Sequence, residues 1–293
     1  MHVIWRFSKT YLSMEFLADI FEYRYLTNAV IACILSGVMC GIIGTYIVAR
    51  RMVFLCGGIT HASFGGIGIA LYMGLNPLYG ALTFAGLSAV SIEWLSMKGR
   101  IREDSAIGVI WGVGMAIGAL FMNLRPGYTT GEMSNFLFGN IITVTDTDIN
   151  ALIAVVTLVI MGALLWHRQV MYTAFDRDFA RSLGVHTQFI TYAMSIVTAV
   201  ALVLSIRIMG IILLISLFTM PVVIANIFTK SYRHIALLAV IFAVAASLTG
   251  VATSYYMELP SGPTIIFILA LAFLILKILS LCLKGIRCAT SRR

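Results

Sequence analysis

Residues 188–229 read QFITYAMSIVTAVALVLSIRIMGIILLISLFTMPVVIANIFT, and Arg207 is the only charged side chain in the run. A helix crosses the hydrocarbon layer with about 20 mostly apolar residues. Lipid offers the backbone no hydrogen-bond partner, so such a run must be helical. The run is long enough for two crossings, 188–206 and 208–229, separated only by the Arg207 region. Working outward, the same pattern recurs at 25–49, 52–73, 77–97, 104–122, 149–166, 234–257 and 263–283. The expected fold is therefore all-α and polytopic, with about nine transmembrane helices and eight or ten as the alternative counts. The stretch 133–144, from Met133 to Val144, is apolar but too short to cross and reads as a re-entrant or interfacial helix.

Composition agrees. Of the 293 residues, 60% are hydrophobic and 11% charged, with a mean hydropathy of +0.99. Soluble domains carry about 25% charged residues, so a water-soluble enzyme, a disordered tail and a disulfide-stapled secreted module are all excluded. Lys and Arg number 20 against 12 Asp and Glu. The basic residues cluster in short gaps between apolar runs, which points to a membrane surface rather than to nucleic acid. With the N-terminus outside and the C-terminus inside, 14 of the 20 cations fall in internal gaps and 5 on the external side, with Lys277 in the last span. The positive-inside rule favours that orientation.

Residues 1–24 carry Arg6, Lys9, Glu15, Asp19 and Glu22, too many charges for a signal peptide. Leu12, Phe16, Ile20 and Tyr23 recur at helical spacing, as in an amphipathic external helix at a membrane surface. The expected organisation is that helix, one transmembrane domain over 25–284 with an internal loop at 167–187, and a basic internal tail at 285–293. Cys33, Cys40, Cys56, Cys282 and Cys288 form no C-x-x-C and read as packing thiols. Gly37–Gly41, Gly108–Gly112 and Gly114–Gly118 are spaced for close helix contacts.

No P-loop, H-E-x-x-H or G-x-S-x-G motif is present, so nucleotide binding and hydrolysis by this chain find no support. Ionisable residues inside spans are costly and hence informative. Glu93, five residues before Lys98, reads as a structural ion pair or a wet helix end. His61 is the sharper case: Gly57, His61, Gly65 and Gly68 recur at spacings of four, four and three, with Thr60 beside the histidine. A histidine bonded to a neighbouring helix and a neutral imidazole offered to a passing transition-metal ion are equal readings of that stripe. Two copies facing each other across a dimer axis would give the better site. In the internal loop, Asp176 to Gly184 reads as a short helix with Gly184 as its C-cap. It is either a solvated surface helix or a rigid docking element.

These segments resemble the permease subunits of bacterial ABC importers for zinc, manganese and iron, the ABC-3 metal-permease family. The resemblance is carried by Arg50-Arg51-Met52 with Ile59-Thr60-His61-Ala62-Ser63, by Arg102-Glu103-Asp104-Ser105-Ala106-Ile107-Gly108, and by Leu137-Phe138-Gly139-Asn140-Ile141. Asp176 to Gly184, Gly210 through Ser216 to Pro221, and Leu259-Pro260-Ser261-Gly262-Pro263-Thr264 complete it. The resemblance implies a multi-pass protein of the bacterial cytoplasmic membrane, assembled as a permease homodimer with two cytoplasmic ATPase subunits and an external metal-binding protein. It implies a pathway ligand at His61, lined by Gly57, Thr60, Gly65 and Gly68. It also implies an ATPase-coupling helix through Asp176, Arg177, Asp178, Phe179, Ala180, Arg181, Leu183 and Gly184. Hinges are expected at Pro221 and in the turn Pro260, Ser261, Gly262 and Pro263. The cargo would be Zn(II), with Mn(II) or Fe(II) as alternatives, and ATP would be bound by the partner, with no covalent cofactor and no nucleic acid.

One departure bears on the metal. Family members usually carry Asp four residues before the histidine, and here that position is Gly57. Loss of a hard oxygen donor weakens the argument for manganese and leaves zinc or ferrous iron. Two rival classes remain. An ion-coupled secondary metal transporter would typically show paired broken helices in related halves, which the sequence lacks. An intramembrane hydrolase would need Ser63 against His61, and residues two apart on a helix point away from each other.

Overall fold

The computed structural model describes residues 19–125 and 144–290 and, among them, every side chain except Arg207 and 283–290. The described residues form helices and no strand: α1 Arg24–Ala49, α2 Val53–Tyr72, α3 Pro77–Met97, α4 Glu103–Leu124, α5 Asp146–Phe175, α6 Arg177–Ser182, α7 Thr187–Phe228, α8 Tyr232–Met257 and α9 Ser261–Thr290. Among the described residues, nine segments are long and apolar enough to cross a membrane, because α7 divides into Thr187–Ile206 and Ile208–Phe228. The expected re-entrant helix at 133–144, except Val144, and most of the amphipathic segment 1–24 lie outside the described residues. Residues 19–22 are helical, and α9 carries helical backbone through Thr290, into the expected tail.

Local chemistry explains several boundaries. Pro77 opens α3, where a missing N–H costs nothing, and Asn76 Oδ1 accepts from Leu78 N at 2.9 Å. Thr145 and Asp148 form a reciprocal capping box at the start of α5, and Asp146 and Asp148 place negative charge at its positive end. The α5 helix overruns its expected end at 166 and stops only at Phe175. Residues 167–175 hold no Gly or Pro, and Thr173 and Ala174 are buried, so helix continues where membrane-like hydropathy has ended.

The backbone places two breaks near the expected hinges. The backbone of α7 leaves helical geometry at Gly210 (φ 75°, ψ 166°), a conformation essentially confined to glycine, and not at Pro221. Pro221 is buried within regular helix; it lacks an N–H for the Leu217 carbonyl but does not break the helix. In the expected turn 260–263, the turning residues are Glu258, with φ 53°, Leu259 and Pro260. Ser261, Gly262 and Pro263 already form the first turn of α9, where the N–H that proline lacks has no intrahelical partner.

Helices in lipid gain little from hydrophobic burial against one another, so close packing holds them together. The α2 helix is the centre of the bundle: 78% of its apolar window is buried, against 11% for α9. A Cβ on Gly66 would lie 2.0 Å from the Gly80 carbonyl of α3. On another side, Cβ atoms on Gly65 and Gly68 would come within 2.8 Å and 2.6 Å of the Gly114 and Gly118 carbonyls of α4. Gly37 and Gly41 press likewise on Val244 and Val240 of α8, whereas Gly108 and Gly112 meet nothing within 4 Å. At one end of the bundle Arg24 meets Asp146 at 2.6 Å in an exposed pair. The opposite end gathers the Arg50 turn, the start of α4 and the helix α6.

Candidate functional site

His61 sits on α2 with its ring stacked on Trp111 of α4, the centroids 4.4 Å apart and the planes 6° from parallel. The residue is half-buried, and its Nδ1 is enclosed without a hydrogen-bond partner among the described residues. An enclosed nitrogen without a partner is unusual for a structural histidine. Four residues earlier, a Cβ at Gly57 would fit, making ordinary contacts with Ile215 at 3.5 Å and with Trp111 at 3.6 Å. Thr60 is fully buried and its hydroxyl is likewise unpaired. Ser63 donates to the Thr60 carbonyl at 2.6 Å, which engages the hydroxyl that a hydrolase would need.

The glycine stripe thus divides in two. At Gly57 a Cβ would meet only side chains at ordinary contact distance, while Gly65 and Gly68 are closed against the backbone of α4. They fix the distance between the two helices that hold His61 and Trp111. Among the described residues no three His, Cys, Asp or Glu side chains gather as a metal cluster. Within one chain His61 would act as a lone nitrogen donor.

A second centre lies at the Arg50 end. Glu93 of α3 is 0% exposed. Its Oε1 accepts from Arg50 Nη1 at 2.8 Å and from the Ser195 hydroxyl of α7 at 2.7 Å. Arg50 Nη1 also donates to the Tyr46 hydroxyl at 2.9 Å, and Arg50 Nη2 to Glu103 Oε1 at 3.3 Å. From α6, Arg177 Nη2 donates to Glu103 Oε1 at 3.2 Å and stands 3.6 Å from Glu93 Oε2, an oxygen that accepts no hydrogen bond. Two arginines and two glutamates from four segments therefore form a neutral network. The ion-pair reading of Glu93 is met, with Arg50 rather than a nearby residue as its main partner. The sequence singled out Glu93 and Arg177 separately; nothing in it joined them, because 84 positions separate the two.

The helix α6 is built as the sequence suggested. Asp176 Oδ1 accepts from the backbone of Asp178 and Phe179, each at 3.0 Å. Gly184, with φ 78°, ends the helix: its N–H reaches Arg181 O and that of Val185 reaches Ala180 O, a Schellman closure. Ala180 is buried, while Asp178, Phe179, Arg181 and Leu183 face outward. Arg181 is tethered to Thr187 Oγ1 at 3.1 Å and to Asp178 at 3.4 Å. A cavity of about 400 Å³ lies beside α6, lined by Met97, Lys98, Arg177, Asp178, Arg181, Gln188 and Tyr192.

Residues 22–280 match the model of the ABC 3 transport family. A "Probable metal transport system membrane protein" of Chlamydia pneumoniae is 34% identical over 275 residues, covering 92% of this chain and 92% of its own length. The manganese transport system membrane protein MntC of Listeria monocytogenes is 28% identical over 89% of this chain and 93% of itself. Among solved structures, PsaBC from Streptococcus pneumoniae, in complex with Fab, superposes with a TM-score of 0.79 at 26% identity, covering 90% of this chain and 94% of that one.

Proposed function

Because this chain belongs to the ABC 3 transport family, we propose that it is the transmembrane permease subunit of an ATP-driven importer for a divalent transition metal. The observation that carries the metal pathway is the enclosed Nδ1 of His61, which has no hydrogen-bond partner among the described residues. A bare divalent ion cannot enter hydrocarbon, so a route through the bundle must replace its water ligands, and a neutral imidazole does so for borderline metals. Zinc is the first cargo we assign, since one nitrogen donor without a carboxylate suits it. Manganese is the second reading, favoured by the names of relatives such as MntC, and ferrous iron the third.

In this reading the N-terminus is external and the C-terminus internal, in a bacterial cytoplasmic membrane. That orientation sets α6 in the cytoplasm, where Phe179, Leu183 and the charges of Asp178 and Arg181 dock on an ATPase subunit. A second copy completes the pathway, and an external metal-binding protein delivers the ion near Pro260. ATP binding by the partner exchanges outward-open and inward-open packings; this chain breaks and makes no covalent bond.

The test is reconstitution in liposomes with the ATPase and the binding protein, assaying accumulation across a panel of metals. ATP-dependent uptake, zinc foremost, is expected, and none from the isolated chain. Uptake by the isolated chain driven by a proton or sodium gradient would overturn the reading in favour of a secondary transporter.

A further inference from the structure

The charge network at the Arg50 end holds more than burial of Glu93 requires. A buried carboxylate is tolerated when it is paired and hydrogen-bonded, and Arg50 with Ser195 already provides that at 2.8 Å and 2.7 Å. Arg177 is an addition from outside the bundle, and its bonds are of a different kind. It stands 3.2 Å from Glu103 and 3.6 Å from Glu93, with Glu93 Oε2 left without a hydrogen bond. Side-chain exposure follows the same division: 4% for Arg50 and 0% for Glu93, but 27% for Arg177 and 33% for Glu103. One half of the network is buried and tightly bonded, and the other half is partly exposed with longer contacts.

The buried half leads to His61. Arg50 caps α1 and begins the turn Arg50-Arg51-Met52, and Met52 is followed directly by α2. That turn is stiff: Arg51 holds φ 58°, and the Arg51 and Met52 amides bond back to Val48 and Ile47 of α1. The partly exposed half leads to α6, a six-residue helix that buries only Ala180.

We propose that Arg177 is a positioning residue, a movable latch between Glu103 and Glu93 that passes displacement of α6 through Arg50 to the helix bearing His61. This rests on the reading of α6 as the ATPase-docking helix. As α6 moves, Arg177 exchanges one carboxylate for the other, Arg50 gains or loses its share of Glu103, and the α1–α2 turn follows. No proton or covalent step is involved.

The experiment uses the complete transporter in proteoliposomes and reads metal accumulated per ATP hydrolysed, together with co-purification of the ATPase and the melting temperature. Glu103→Gln should leave assembly and hydrolysis rate within about twofold of wild type while the ratio falls about fivefold. Arg177→Gln should lower the ratio about tenfold, and Arg177→Lys, which keeps the charge, should restore most of it. A ratio unchanged in both neutral variants overturns the latch while leaving the importer reading intact. Assembly, melting temperature and uptake falling in parallel in both would also overturn it, marking the network as a static brace. Absence of ATP-dependent uptake by the wild-type complex would overturn the importer reading and the latch together.

Discussion

Glu93 and His61 are ionisable side chains set inside membrane-length helices, and the fold treats them in opposite ways. Glu93 has no exposure and is met by Arg50 and Ser195 at hydrogen-bond distance. His61 is half-buried, lies flat on Trp111 and leaves its Nδ1 without a partner. Both placements cost solvation free energy. At Glu93 the cost is offset inside the molecule, and at His61 it is left open to something from outside. Burial alone therefore does not distinguish the two; Glu93 Oε1 has two hydrogen-bond donors and His61 Nδ1 has none among the described residues.

The sharpest way to break that contrast is to remove the satisfied carboxylate. Glu93→Ala leaves buried Arg50 with only the Tyr46 hydroxyl and the longer contact to Glu103, a loss expected to cost about 3 kcal/mol. Thermal unfolding in detergent or nanodiscs should show a large fall in melting temperature and in the yield of folded chain. A variant as stable as wild type would mean that water reaches the network and that Glu93 is not the anchor inferred from its burial.

Next in size is the packing that fixes the frame around His61. Gly66→Ala forces a methyl into the Gly80 backbone and should cost about 1–3 kcal/mol, the usual penalty for overpacking. Gly108→Ala, where a Cβ meets nothing within 4 Å, should stay within about 0.5 kcal/mol in the single chain. A larger loss at Gly108 in the assembled transporter, read by melting temperature with and without partners, would reveal a surface packed on that face of α4.

How far the sequence carried these distinctions follows from the range of each interaction. Span positions were legible because hydropathy over about 20 residues is a property of one segment. The α6 helix was legible because Asp176 and Gly184 cap it locally. The overrun of α5 to Phe175 was not, since hydropathy marks where lipid ends and not where helix ends. The break at Gly210 was not legible, because proline at 221 is conspicuous in sequence whereas a glycine's left-handed backbone angle is not. Gly65 and Gly68 shared a helical stripe with His61, yet nothing local told that they would close on α4 while Gly57 would not. The partners of Glu93 come from three other segments, so its need for a cation was readable and the cation's identity was not.

His61→Ala tests the unsatisfied side of the contrast. Loss of a stacked ring pair should cost about 0.5–1.5 kcal/mol, well below the Glu93 variant, with assembly preserved. Metal uptake by the reconstituted transporter should nevertheless drop sharply. A stability loss comparable to that of Glu93→Ala, with uptake per folded complex unchanged, would place His61 among the structural residues and erase the distinction.

Gly57→Asp sharpens the contrast most finely, through the choice of metal. A Cβ there clashes with no neighbour, the nearest atom lying at 3.5 Å. It is the fifth residue of α2 and buried, so the carboxylate should cost a few kcal/mol of desolvation in the metal-free protein, a cost that a bound cation offsets. The new carboxylate would share a helix face with His61, one turn away, and add a hard oxygen donor to a lone nitrogen. Competition uptake assays should then shift from zinc toward manganese relative to the wild type, at unchanged assembly. If the ratio of the two metals does not move, the space beside His61 is not on the ion's route, and the missing hydrogen bond at Nδ1 would need another occupant.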